Sequence, residues 1–270
     1  MTAGTVGTAG VAAVGAAGNP SLVFETGVLA RRNLLHVLSD PEQLIGMTLQ
    51  PLMFLLLFVY VFGGAISGST RGYLQFVLPG LLVQGIGFGT TQTAIGLNAD
   101  FQHGLIDRFR SLPIARSAVV AGRVTADIGR TAWTSIIVVG VAVVLGFRFH
   151  GGLAGALGAC VLVLALGVAM CWLMAFLGVA LRSPESVQAV GFMTILPLTF
   201  ASSVLVPAAS MPGWLQAFVK VNPISIFAEA MRGLMLGGPV ATPVLQSAAW
   251  IAGMSVVFGA LTVSLYRRRA

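Results

Sequence analysis

From Leu153 to Leu181 the chain carries no charged residue, and from Leu44 to Phe62 it carries none either. A helix rises about 1.5 Å per residue, so about 20 apolar residues cross the hydrocarbon core of a bilayer. Several such runs in one chain rule out a water-soluble fold, which needs far more polar surface than 57% hydrophobic and 9% charged residues can supply. The mean hydropathy of +0.94 agrees. A membrane β-barrel would show short segments alternating apolar and polar residues, and that pattern is absent. The expected fold class is an all-α polytopic membrane protein.

The apolar runs predict six transmembrane helices: Leu44 to Phe62, Leu74 to Leu97, Val119 to Leu145, Leu153 to Leu181, Val187 to Val206 and Val244 to Tyr266. The first eighteen residues are dominated by Ala, Gly, Val and Thr and lack the positive region of a secretory signal. They are expected to be a disordered tail (1–18), with residues 19–270 forming one transmembrane domain. Asn19-Pro20-Ser21 signals a helix start and Asp40-Pro41 a stop. Between them Phe24, Val28, Leu35 and Leu38 share one face, and Glu25, Arg32 and His36 the other, so an N-terminal interfacial helix is expected. Arg31 interrupts the split, but its stem can snorkel.

Lys and Arg accumulate on the cytoplasmic side of membrane proteins. Six spans put both termini on one side, together with Arg31, Arg32, Arg108, Arg110, Arg116, Arg123, Arg182 and Arg267 to Arg269. The other side holds Arg71, Arg148, Lys220 and Arg232. Both termini are therefore expected in the cytoplasm. The net charge of +7 follows this topology and does not indicate nucleic-acid binding. The connection from Pro207 to Pro243 is then outside, yet it is apolar. Trp214, Leu215, Phe218 and Val219 suggest one apolar face, and Asn222-Pro223 opens a second piece, Ile224 to Leu236, with Glu229 and Arg232. Both pieces are too short to span, so an outer re-entrant hairpin or an interfacial helix pair is expected between spans five and six.

The densest charge lies in GLIDRFRSLPIAR, Gly104 to Arg116. On a helix, Leu105, Phe109 and Leu112 share one face, and Asp107, Arg110 and Ser111 the opposite one, with Arg108 at the boundary. Pro113 ends the helix. Such a short amphipathic helix lies on the cytoplasmic surface. Two readings are open from the residues alone: a topological anchor touching lipid phosphates, or a docking surface for a soluble protein, which the interleaved acid and bases would suit.

The run from Asp100 through Gly104, Leu112-Pro113 and Arg116, followed by Gly122-Arg123, resembles the signature of ABC type-2 membrane permeases, closest to the daunorubicin/doxorubicin-resistance permease group. Asn222-Pro223 to Arg232-Gly233 resembles that family's stretch before the last span. The chain departs from the pattern at His103, where a small polar residue is expected. The resemblance implies the membrane subunit of an ATP-driven exporter moving a hydrophobic or amphipathic compound, a drug-like molecule or a lipid, by alternating access. It also implies a second permease copy, identical or related, and two copies of a separate ABC ATPase subunit that holds the ATP and Mg. On this implication Gly104, Leu105, Asp107, Arg108, Phe109, Arg110, Leu112, Pro113 and Arg116 form the cytoplasmic coupling helix gripped by the ATPase. Arg31 and Arg32 are secondary ATPase contacts, and the location is the bacterial plasma membrane.

No phosphate-binding Gly-x4-Gly-Lys-Ser/Thr loop occurs, so the chain is expected to be non-catalytic and to carry no cofactor. Gly85 and Gly89 have the small-x3-small spacing of close helix packing. Asp127 has Arg123 at i−4 and Arg130 at i+3, and Glu229 has Arg232 at i+3; local ion pairs are expected at both. His36, His103 and His150 are scattered, and no metal site is expected. Cys160 and Cys171 are too far apart on one helix for a disulfide and read as small apolar packers. Gln84, Gln92, Phe192, Met193, Thr199 and Phe200 are candidates to line a translocation path, against interhelical packing. Trp214, Phe218, Glu229 and Arg232 are candidates for a gate in the outer hairpin. The competing reading is an ion- or proton-coupled secondary transporter, which needs charged groups near the bilayer centre. Polysaccharide or lipid-precursor export within the same family, and a membrane scaffold without transport, complete the alternatives.

Overall fold

The computed structural model describes residues 41–102 and 116–269. The 1–18 tail, the interfacial helix with Arg31 and Arg32, and the segment Gly104 to Pro113 lie outside the described residues. Every regular element among those described is helical. Helix α1 (Pro41–Leu57) passes through a π-helical turn (Phe58–Phe62) into α2 (Gly63–Ser67). Helices α3 (Thr70–Gln102), α4 (Arg116–Val144) and α5 (Gly152–Ala180) follow. Then come α6 (Pro184–Phe200), a 3-10 turn (Ala208–Ser210), α7 (Gly213–Val221), α8 (Pro223–Leu236) and α9 (Ala241–Arg269).

Five stretches are long and apolar enough to cross a membrane: Thr48–Ser67, Thr70–Ala99, Asp127–Val144, Gly152–Ala180 and Ala241–Leu265. They correspond to the expected spans one to four and six. The expected fifth, Val187 to Val206, is shorter as a helix: α6 has 17 residues and stops at Phe200. At about 1.5 Å per residue it reaches about 25 Å, less than a full bilayer core. Ser183 caps its start by accepting from the Ser186 amide at 3.2 Å.

Helix α3 is the centre of the bundle. Tyr73, Leu74, Val77, Leu78 and Val83 on it are almost fully buried, against α5, α6 and α8. Gly178 on α5 allows the crossing with α3, because a Cβ there would meet the Ala94 carbonyl oxygen at 2.7 Å. Asn98 locks the same crossing by donating to the carbonyls of Gly178 (2.9 Å) and Leu181 (2.8 Å). Gly151 and Gly155 admit the α8 backbone in the same way, since a methyl group on either would collide with the Leu234 carbonyl. The loop between α4 and α5 is tied down there by His150 and Gly151, whose amides donate to Met235 at 3.0 and 3.2 Å.

Helix α8 is a core element. Ile224, Phe227, Ala228, Met231 and Met235 are buried at helical spacing. Helix α7 splits its expected apolar face: Val219 is buried, whereas Trp214 and Phe218 are 75% and 42% exposed. The Gly85–Gly89 spacing does not mediate close packing either. A Cβ on Gly89 would meet nothing within 4 Å, and one on Gly85 would only reach Pro51 at 4.0 Å. The close approach on this helix is at Gly80, where a Cβ would sit 3.0 Å from the Val204 backbone.

Candidate functional site

Three polar arrangements stand inside this apolar bundle. The first joins α3, α4 and α5. Asp127 is 4% exposed, and Arg130 donates to its Oδ1 at 2.6 Å. Thr93 donates to Oδ2 at 2.7 Å, and the Cys171 thiol approaches the same oxygen at 3.5 Å. The expected i+3 pair is present, and two partners from other helices join it. Cys171 is thus more than an apolar packer, while Cys160 is exposed on the same helix and both are free thiols. Both oxygens of this carboxylate are engaged, and removing it would strand a partly buried guanidinium.

The second arrangement holds the break after α6. Residues 201–206 are not helical, and their backbone groups must be satisfied by other parts of the protein. Asn222 Nδ2 donates to the carbonyls of Leu198 (2.7 Å) and Ala201 (2.8 Å), while its Oδ1 accepts from Ile224 N (2.9 Å) and so caps α8. Tyr73 donates its hydroxyl to Leu205 O at 2.8 Å, and Ser225 accepts from Ser203 N at 3.1 Å. Arg232 donates Nη2 to Ser203 O (2.5 Å) and Val204 O (3.1 Å), and Nε to Phe76 O (3.0 Å). Its guanidinium lies 3.9 Å from the Phe76 ring centroid. No salt bridge links Glu229 and Arg232: Glu229 is exposed, and the orphan carbonyls of the break claim the Arg232 guanidinium.

The third is a cavity of about 540 Å³ between α1, α3, α4 and α6. Its walls include Gln50 and Phe54 from α1, Gln84 to Gly96 in part from α3, Asp127, Arg130, Thr134 and Ser135 from α4, and Phe192 from α6. Thr90 and Thr91 donate back to carbonyls of their own helix, at 3.0 Å for Thr90 and 3.4 Å for Thr91. Gln84 does not: it is 2% exposed, and neither its amide nitrogen nor its oxygen has a partner. Arg130 Nε is also without one. A buried polar group left unpaired costs about 1–3 kcal/mol, and both are enclosed in the packing behind the cavity wall.

Of the path candidates, the structure brings Gln84, Gln92 and Phe192 together on this cavity, with Phe192 tilted against Phe88 at 5.9 Å. Met193 and Phe200 are outside it, 78% and 53% exposed. Thr199 is buried at the end of α6, where its carbonyl accepts from Ser202. Sequence reasoning missed the α1 and α4 walls. The signal available was the polar row Arg130, Thr134 and Ser135, near helical spacing on an otherwise apolar span. Among the described residues no three of His, Cys, Asp and Glu gather to hold a metal ion.

A bundle of apolar crossing helices with a ligand-sized, partly polar cavity inside defines an α-helical, multi-pass membrane protein. The chain belongs to the ABC-2 type transporter family, whose model matches residues 25–236. The daunorubicin resistance ABC transporter permease protein DrrB1 of Streptomyces coeruleorubidus is 41% identical over 229 residues, covering 85% of this chain and 81% of that protein. A probable doxorubicin resistance ABC transporter permease protein, DrrC, of Mycobacterium tuberculosis is 32% identical over 248 residues, covering 91% and 89%. The doxorubicin resistance ABC transporter permease protein DrrB of the same species is 27% identical over 216 residues, covering 77% and 74%. The chain is accordingly a permease subunit of an ABC transporter. It is not itself an enzyme, and ATP hydrolysis belongs to a separate chain.

Proposed function

We propose that this permease exports hydrophobic or amphipathic, drug-like compounds across a bacterial plasma membrane, driven by an ABC ATPase bound on the cytoplasmic side. The observation that carries the reading is the cavity against α3, whose wall mixes apolar surface with Gln84 and Gln92 in a bundle otherwise built of packed apolar side chains. Daunorubicin and doxorubicin, named for the relatives, are the first compounds to try. Two permease copies, identical or related, face each other and open alternately to the two sides. Two ATPase subunits carry ATP and Mg beneath them.

The chain crosses the membrane six times in this reading, with both termini cytoplasmic. Helix α6 is the short fifth crossing. Residues 201–206, α7 and α8 form a re-entrant cap on the outer side, a reading supported by the number of side chains that satisfy the broken backbone. Irregular backbone at membrane depth is tolerated where protein buries it, and Val204 is fully buried. Gly104 to Pro113 with Arg116 is the coupling helix, and Arg31 and Arg32 are secondary contacts. Gln84, Gln92 and Phe192 line the route. Thr199, Met193 and Phe200 have weaker support, because they lie away from the cavity. Trp214, Phe218, Glu229 and Arg232 belong to the cap. A proton-coupled mechanism is disfavoured by Asp127, the membrane-embedded carboxylate, because three donors already hold it.

The test is daunorubicin uptake into inside-out vesicles containing the permease and its ATPase. Uptake that requires both subunits and ATP is expected. Uptake driven by a proton gradient without the ATPase would overturn the proposal.

A further inference from the structure

Two arginines outside the polar arrangements described above lie together at one end of the bundle. Arg71 is the second residue of α3, and Gln75 stands one turn further along the same face. In the orientation that satisfies both of its atoms, the Gln75 carboxamide donates to Arg148 O at 3.1 Å and accepts from Arg148 N at 2.8 Å. The backbone of Arg148 is thereby fastened to α3 one turn from Arg71. The Arg71 side chain closes the gap from its own side. It lies over Gly146, where a Cβ would come within 3.5 Å of its Nε and 3.9 Å of its Cγ. The loop beneath is fixed, because Phe147 is fully buried and the His150 amide donates to Met235 O at 3.0 Å.

Both arginine side chains are exposed. Among the described residues neither forms an ion pair, and the hydrogen bond from either guanidinium is a long one, from Arg148 Nη1 to Phe147 O at 3.4 Å. Two guanidinium groups on adjoining backbone repel each other. One anion shared between them removes the repulsion and takes several N–H donors at once.

Depth in the membrane selects the anion. The crossing stretch Thr70–Ala99 begins beside Arg71, and the stretch Asp127–Val144 ends four residues before Arg148. Here hydrocarbon gives way to headgroups, and a phospholipid brings its phosphodiester to this level with its chains turned inward. Val144 and Leu153, at the ends of the two helices that the loop joins, are exposed and offer those chains an apolar surface.

We propose that Arg71 and Arg148 form a clamp for the phosphodiester of an anionic phospholipid of the phosphatidylglycerol type. A zwitterionic headgroup carries its own ammonium beside the phosphate and gains less from the two arginines. The clamp is separate from the cavity and does not rest on the export reading.

The test is a lipid titration of the full chain, delipidated in a non-ionic detergent and read by native mass spectrometry. Phosphatidylglycerol should bind about tenfold or more tighter than phosphatidylcholine. Arg71→Gln and Arg148→Gln should each weaken phosphatidylglycerol about fivefold, and the double substitution should bring it within about threefold of phosphatidylcholine. Arg148→Lys keeps the charge without the planar fork and should fall between Arg148→Gln and the wild type. Lys220→Gln removes an exposed charge from α7, which packs on α8 and the 3-10 turn and not on α3 or α4, and should bind as the wild type does. Without lipid, all these variants should melt with the wild type, so weakened binding cannot be ascribed to misfolding.

Equal affinity for the two lipids, or a full preference for phosphatidylglycerol in the double variant, would overturn the proposal. So would a loss in Lys220→Gln as large as in Arg71→Gln, which would reduce the effect to net charge. Displacement of phosphatidylglycerol by millimolar inorganic phosphate would also overturn it, by showing a site for soluble anions.

Discussion

Arg232 gives the most exacting stability prediction, because one side chain satisfies carbonyls from two distant parts of the chain. Replacing it with Leu removes the donors to Phe76, Ser203 and Val204 and the contact with the Phe76 ring. A hydrogen bond from a charged donor contributes about 1.5–3 kcal/mol, and a cation over an aromatic face about 0.5–2 kcal/mol. The straight total is about 5–11 kcal/mol, which overstates the loss because the contacts are coupled and the segment relaxes. Single-site losses above about 4–5 kcal/mol are exceptional, so about 3–5 kcal/mol is expected for Arg232→Leu. Arg232→Lys keeps the charge without the planar fork and should lose about half of that.

The loss should appear as local opening of residues 201–206. With Cys160→Ser and Cys171→Ser as background, Val204→Cys places a thiol at a fully buried position. Its labelling rate follows the opening equilibrium, and each 1.4 kcal/mol is about tenfold. Arg232→Leu should therefore accelerate labelling about a hundredfold or more, and Arg232→Lys by roughly tenfold. Labelling within about threefold of the parent in Arg232→Leu would show that the break is held by other contacts, and would refute the reasoning.

Asn222→Ala removes the α8 cap and two bonds to the end of α6, and should lower stability by about 2–4 kcal/mol in detergent unfolding; Asn222→Asp retains the cap and should lose less. Asp127→Leu strands Arg130 and should cost about 3–5 kcal/mol, with Asp127→Asn distinctly milder, as read by thermal melting. Gly178→Ala should destabilise by about 1–3 kcal/mol through its 2.7 Å approach to Ala94 O, whereas Gly89→Ala should be neutral or stabilising by up to about 1 kcal/mol.

The positions of five spans were legible because apolar length is set by bilayer thickness: five of the six expected runs are helices of spanning length among the described residues, and the other, Val187 to Val206, ends as a helix at Phe200. Which spans form the centre was not legible. An 18-residue stretch within Thr70–Ala99 has 72% of its residues buried and one within Ala241–Leu265 only 11%, yet both are apolar, because lipid and protein interior make the same demand. The α6 break was hidden in an apolar run. Its cause lies far along the chain, in Asn222, Ser225 and Arg232, and no local pattern encodes a partner more than 20 residues away. Glu229–Arg232 illustrates the reverse error, in which correct helical spacing suggested a pair that distant carbonyls outcompete. Gln84 and Phe192 could be named from polarity and size, but the α1 and α4 walls that make them a site depend on tertiary packing. The π-helical turn at Phe58–Phe62 has no sequence signal that we can identify.

In the proposed export complex a separate ATPase grips the permease around Gly104 to Pro113. The direct measurement is cross-linking from a photoactivatable reagent on Arg110→Cys, in the Cys160→Ser and Cys171→Ser background, with the ATPase present in native membranes. An adduct between the permease and the ATPase subunit is expected from position 110, and none from Trp214→Cys on the proposed outer cap. Labelling of position 110 by a membrane-impermeant thiol reagent added outside, or an ATPase adduct from position 214 and not from 110, would contradict it.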